Sequence, residues 1–454
     1  MLYGVRVTQP PSKTVRRSRI PSGRLERLAR IGWLAGEVTL GGLAEGARRW
    51  LGSNADTRNI FVTGTNARRL ARRLSSLRGA AMKLGQLLSL EGDDYLPAEI
   101  TGALAILRAD AHAMPDAQLR RVLGHAYGKG WEQRFRDFGM EPIAAASIGQ
   151  VHFAIAADGR ELALKVQYPG VARSIDSDVD NLASILRLSR FLPGQIDLTA
   201  LLTEAKYQLR QEAEYRAEAG HLRRYARLLS GDAAFVVPRV HDDLTTAHIL
   251  AMDFVRGIPL DQVSDFPQAL RNRIGVQLYR LLFRELFEFR FVQTDPNFAN
   301  FLLLPDTEQV ALLDLGAARE VPQRLSALYA QLFRATIARD RAALARVLEA
   351  IGFINPGERR DRLEGLVDFF LVACEPFRHR GAYDFRNSDV PPRVRAAGVE
   401  LTARRGFLQA PPPDTIFLHR KLAGTFLLCA RLGARLDVHA LIGPVLEQRT
   451  PAVD

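Results

Sequence analysis

The chain has 454 residues, enough for two or three domains, and its 47% hydrophobic and 25% charged composition is that of an ordinary globular protein. Two cysteines, Cys374 and Cys429, exclude a disulfide framework and point to a reducing compartment, and no Cys/His spacing suits zinc. The net charge of +12 favours an anionic partner, a membrane surface or phosphates, while the arginine-rich stretches lack the interleaved aromatics of a single-strand nucleic-acid binder, so no nucleic acid is expected.

In chain order, residues 1–60 read as a basic arm and an amphipathic helix over 25–52. Residues 61–130 read as a helical extension. Within it, 66–90 sets Leu70, Leu74 and Leu77 on one side and arginines on the other, and 96–115 is a second helix begun by Pro97. No apolar run reaches the ~18 residues of a membrane span. At 131 the pattern changes. Strands are expected around 141–170, with Asp158-Gly159 as the hairpin turn between QVHFAIA and ELALKV. Helices near 171–193 and 198–229 follow, then strands over 234–240 and 248–255. Beyond about 265 the chain reads as mainly helical, interrupted by FLLL (301–304) and VALLDL (310–315). The fold class is α+β: a small β-rich lobe over 131–257 and a larger helical lobe over 258–454.

A set of motifs stands in the order of a protein kinase. AAASIGQV (144–151) occupies the phosphate loop: Ala144 and Ala146 replace its first two glycines, Ala145 and Ser147 lie between and after them, and Gly149 and Val151 keep the pattern. Lys165, in LALKV, fits the strand lysine that meets nucleotide phosphates. QEAEYRAEA (211–219) supplies Glu212, Glu214 and Glu218, of which Glu218 is placed to pair with Lys165. In QTDPNFAN (293–300), Asp295 and Asn300 have catalytic-loop spacing: a base facing the nucleophile and an amide reaching a metal. Asp314-Leu315-Gly316 then gives a carboxylate for Mg²⁺ between ATP phosphates. Asp253 and Val255, at the connector between the lobes, are expected against the nucleotide. Gln293 and Thr294 replace the usual His-Arg, and the run after Gly316 leaves no room for a long activation loop, which argues against an ordinary peptide kinase.

Taken together these motifs resemble the UbiB/ADCK group of atypical kinase-like proteins. The marks are MKLGQ (82–86), AAASIGQVH, QEAEYRAEA, QTDPNFANF, LLDLGAAR and the C-terminal FLHRKLAGTFLLCARLGA. The resemblance implies a two-lobed kinase-like fold with an extra N-terminal helical domain bearing Lys83 and Gln86 over the site. It implies that Lys83 pairs with Glu212 and Lys165 with Glu218, with Glu214 where the group has Asp. It implies ATP/ADP and Mg²⁺ as cofactors and an ATPase or small-molecule kinase supporting ubiquinone biosynthesis. Quinone-biosynthesis proteins or lipid-like quinone precursors are the implied partners, and a dimer is one open oligomeric state. The location implied is the cytoplasmic side of a bacterial inner membrane, held peripherally, or the mitochondrion in a eukaryote. The alternatives are a nucleotide-sensing scaffold without turnover and a kinase of the aminoglycoside or choline type.

Overall fold

The computed structural model describes residues 113–188, 198–404, 406 and 411–447. The arm, the helices expected over 25–52 and 66–90, most of the one over 96–115, and with them Lys83 and Gln86, lie outside the described residues. The tail of the 96–115 helix is corrected: Pro115 is extended and caps the next helix, α1 (Asp116–Tyr127). The chain forms two units, one running to Ala219 and including Arg239–Phe254, the other Gly220–Pro238 and everything from Val255.

The first unit is built on an antiparallel sheet of β1 (Phe135–Phe138), β3 (Gly149–Ala156), β4 (Glu161–Gln167) and β6 (Ile249–Asp253), in that order, with β2 (Ala144–Ala145) beside β3. Gly159, at φ +93°, makes the β3–β4 turn that a side chain would strain. Period two then sorts the faces. Ala154, Leu162, Leu164, Val166, Ile249 and Ala251 point to the core and pack on Leu119 and Leu123 of α1. Each fully buried leucine contributes about 2 kcal/mol. Lys165 necessarily points the other way.

Gln150 and His152, at the end of AAASIGQVH, are structural ties. Gln150 accepts from Met114 N–H (2.8 Å) and donates to His152 Nε2 (2.7 Å), whose Nδ1–H donates to Gly139 O (2.7 Å). This fixes the His152 tautomer, and burial pushes its pKa down to about 4. Strand β1 was not foreseen. It is held by Trp131, Phe135 and Phe138, whose rings meet edge-on at 5.3–6.3 Å. Helices α2 (Val171–Leu188) and α3 (Leu198–Glu212) are joined by Lys206–Asp180 and Arg210–Asp176, each 2.6 Å.

Helix α4 (Tyr215–Leu228) ends in the second unit. The strand expected over 234–240 divides. Phe235–Val236 (β5) runs parallel to β10 in the second unit, whereas Arg239 and His241 bond to β6. Pro238, which has no N–H, stands at the break.

In the second unit, β5, β10 (Gln309–Leu312), β9 (Phe301–Leu304) and β7 (Ile258–Pro259) form one sheet, and β8 (Phe291–Gln293) pairs with β11 (Ala318–Glu320). Helix α5 (Gln268–Phe283) runs into a wide turn, Arg284–Phe289, ahead of β8. After β11 come α6 (Gln323–Ala338), α7 (Arg341–Ile351), α8 (Arg360–Ala373), the one-turn α9 (Glu375–Arg378), α10 (Val390–Val399), α11 (Pro413–Leu432) and α12 (Val438–Glu447). The short ladder β12 (Tyr383–Asp384) to β13 (Arg435–Leu436) ties this helical region together.

Candidate functional site

The site residues fall into two sets, one in each unit. In the first, Val151 is directly opposite Lys165 in the β3–β4 ladder, so both side chains share the face away from α1. Lys165 Nζ lies 2.9 Å from both carboxylate oxygens of Glu218, and both side chains are buried. The Tyr215 ring sits 5.4 Å from the same ammonium. The carboxylate supplies the counter-charge that a buried ammonium needs.

QEAEYRAEA is not one continuous helix. Helix α3 stops at Glu212 and α4 starts at Tyr215. Ala213 N–H is shared between Leu209 O and Arg210 O, and Glu214 N–H reaches only Gln211 O, a tightened last turn. Gln167, at the end of β4, donates to Ala213 O at 3.0 Å and so caps the break. As a result the three acids diverge: Glu212 and Glu218 are buried and Glu214 is exposed.

The alanine loop is a tight hairpin. Ala144 and Ala145 pair with Val151 and Gln150, and Ala146 N–H donates to Gly149 O (3.0 Å) around Ser147-Ile148. Ile148 is buried, and the Ser147 hydroxyl donates to Glu212. Gly149 serves a different need from loop flexibility. A Cβ there would stand 2.5 Å from Val166 O and 2.8 Å from the Tyr215 hydroxyl, so the strand passes where only glycine fits. The Asp253 carboxylate accepts from His241 Nε2–H (2.7 Å) and Arg239 N–H (3.1 Å). Val255 is half-buried and belongs to the second unit.

In that unit the catalytic and metal loops are bracketed by ladders at both ends. Strands β8 and β11 pair, and β9 and β10 pair, so the segments 294–300 and 313–317 leave and rejoin the fold side by side. Asn300 Nδ2–H donates to Asp295 O (2.8 Å), which assigns the amide and makes its oxygen the atom that could reach a metal. Gly316 N–H donates to Asp314 Oδ1 (3.0 Å). Asn300 and Asp314 border one small cavity with Gln293, Glu285 and Lys421. Gln293, in place of the usual histidine, donates to Asp295 O (2.5 Å) and to Asp314 O (3.4 Å), and Thr294 donates to Ala317 O (2.6 Å). One carboxylate and one amide oxygen are hard donors suited to Mg²⁺ that shares its shell with phosphates; among the described residues no cluster of three acidic, His or Cys ligands competes for it.

Several residues here carried no sequence signal of their own. Glu285 is fully buried and accepts from the Tyr225 hydroxyl (2.8 Å). Burial, reinforced by that carboxylate, holds the Tyr225 phenol far above its usual pKa, so it stays a donor. Lys421 and Arg420 reach this region from α11. FLHRKLAG lies in the stretch that reads as mainly helical, and a lysine and an arginine on a helix ordinarily face solvent.

Residues 106–348 match the ABC1 atypical kinase-like domain. The chain is similar to the atypical kinase COQ8B, mitochondrial, of Rattus norvegicus: 38% identical over 424 residues, 93% of this chain and 80% of that one. It is similar to the atypical kinase COQ8, mitochondrial, of Saccharomyces cerevisiae: 36% identical over 425 residues, 93% of this chain and 84% of that one. Among solved structures it is similar to Rv3197 of Mycobacterium tuberculosis in complex with erythromycin, with a TM-score of 0.56, 25% identity, and coverage of 84% of this chain and 95% of that chain.

Proposed function

The chain belongs to the ABC1 atypical kinase-like family, alongside the COQ8 atypical kinases, and from that premise we propose that it is an Mg-ATP-dependent ATPase or small-molecule kinase supporting ubiquinone biosynthesis. The observation that carries the reading is the bracketed pair of loops that brings Asn300 and Asp314 to one cavity and ties Asn300 to the Asp295 backbone.

Asp314 and Asn300 would hold Mg²⁺, which when bound neutralises charge developing on the phosphate oxygens. Asp295 accepts the proton of the attacking water or hydroxyl. Lys165, held by its ion pair with Glu218, offers an ammonium to the phosphates, with Val151 on the same face. The hairpin of Ala144, Ala145, Ala146 and Ser147 replaces a glycine flap. Its Ala146 N–H is already spent on Gly149 O, and its serine is tethered to Glu212, so it offers phosphate fewer donors than a glycine-rich loop. This favours slow hydrolysis over fast phosphoryl transfer. Lys83 and Gln86, with Glu212 and Glu214, are proposed to regulate access. Backbone at Asp253 and Val255 is proposed to meet the base of the nucleotide.

The relatives carry "mitochondrial" in their names, and among the described residues no helix is long and apolar enough to cross a membrane. We place the protein peripherally on an anionic membrane, held by the acid-free stretch 57–90, where it meets quinone-biosynthesis proteins or lipid-like precursors. The quinone profile of a null strain rescued by wild type or by Asp314→Asn tests the function. Rescue by wild type alone supports it, an unchanged profile in the null strain removes the pathway, and rescue by both makes the chain a scaffold.

A further inference from the structure

Helix α11 meets the catalytic loop at two points and the turn ahead of it, Arg284–Phe289, at a third. Lys421 Nζ lies 2.6 Å from Glu285 Oε2, with both groups buried. Arg420 Nη2 lies 3.7 Å from Asp295 Oδ1. One turn on, a Cβ at Gly424 would fall 2.0 Å from Pro296 Cγ, so the helix backbone rests directly on the residue after Asp295. Glu285 in turn faces Gln293 N–H (3.4 Å), and the Gln293 amide holds the Asp295 and Asp314 carbonyls. A continuous polar chain therefore runs from α11 to both loops.

A buried lysine–glutamate pair is a poor stabilising device, because desolvation cancels most of its attraction and an apolar pair of equal volume does as well. Its use here is positional. The arginine that precedes the catalytic Asp in ordinary kinases is Thr294, and α6 begins at Gln323, so no long segment is present to order the loop after phosphorylation.

We propose that Lys421, with Arg420 and Gly424, is a positioning residue for Asp295: the chain's own C-terminal helix orders the catalytic loop in place of a phosphorylated activation segment. The proposal rests on the reading of Asp295 as the base, and its test separates the two. Two variants of the full chain are compared with wild type: the double variant Lys421→Met/Glu285→Gln, which removes both buried charges together, and Gly424→Ala, which keeps both and displaces Pro296. Amide hydrogen exchange over 291–301, MgATP affinity and single-turnover hydrolysis are measured on protein whose folding is checked by circular dichroism.

In folded variants, exchange across the loop rises about tenfold or more. Turnover falls about 10–100-fold while affinity moves less than about threefold. A purely structural role would lower the melting temperature and leave both loop exchange and turnover per folded molecule unchanged, which overturns the proposal. If the double variant does not fold, Gly424→Ala decides by the same readouts. If wild type shows no hydrolysis, a rise in exchange still upholds positioning while the ATPase reading falls.

Discussion

Lys165 and Glu218 form a buried two-pronged ion pair, the ammonium 2.9 Å from each carboxylate oxygen, between a strand and the first turn of a helix. Removing one partner strands a buried charge. Glu218→Gln should cost about 3–5 kcal/mol and lower the melting temperature, and Lys165→Met should cost a similar amount. The double variant Lys165→Met/Glu218→Gln should regain much of that stability and none of the turnover. Denaturation and hydrolysis assays on the four proteins of this cycle check both parts. Additive stability losses would mean that the pair is not coupled.

The alanine hairpin makes a second pair of contrasting expectations. Gly149→Ala places a methyl against Val166 O and Tyr215 and should destabilise the first unit by about 1–3 kcal/mol, read by urea denaturation. Ala146→Gly relaxes the hairpin and should shift the ratio of ATP to ADP affinity or raise autophosphorylation. Ser147→Ala, which cuts the tie to Glu212, should act in the same direction. If neither affinity nor autophosphorylation moves in either variant, the alanines serve packing alone.

These sites were legible to different depths. Lys165, Asp295, Asn300 and Asp314 stood out because phosphoryl chemistry needs those residue types at fixed spacing, and Asp158-Gly159 announced its hairpin through the glycine. The kinase-like fold and the family followed from their order, and the family match agrees. The break at Ala213–Glu214 was hidden because its cap, Gln167, comes from 46 residues earlier. Strand β1 was too short and irregular to alternate visibly, with a register shift between Phe135 and Asp137. Lys421 was missed since nothing local distinguishes a buried helix lysine from a solvated one; its partner Glu285 lies on another helix's end.

Two enclosed histidines, His152 buried and His419 half-buried, set an acid limit. Burial lowers both His152 and His419 to about 4; His419 is enclosed by Phe353 and hydrogen-bonded to the Tyr329 hydroxyl at 3.0 Å. Their folded pKa values lie below the unfolded value of about 6.5, so between these limits the unfolded chain binds more protons. Stability is therefore full above about pH 6.5 and falls as the pH drops towards 4, by about 1 kcal/mol per pH unit for each histidine. Chemical denaturation at pH 5 to 7 measures the slope, and a flat profile over that range would show that neither ring is held neutral.

Membrane attachment is tested outside the described residues. Reversing charge at Arg68, Arg69, Arg72 and Arg73 should reduce sedimentation with anionic liposomes and flatten its salt dependence. Unchanged sedimentation would exclude that stretch as the anchor.

The most direct test is Mg²⁺-dependent ATP hydrolysis by wild type and by Asp314→Asn at matched folded concentration. The predicted result is hydrolysis by wild type that requires Mg²⁺, a loss of about 100-fold or more in the variant, and ADP binding largely kept. Equal turnover by the two proteins would contradict the assignment of this site as the seat of the chemistry.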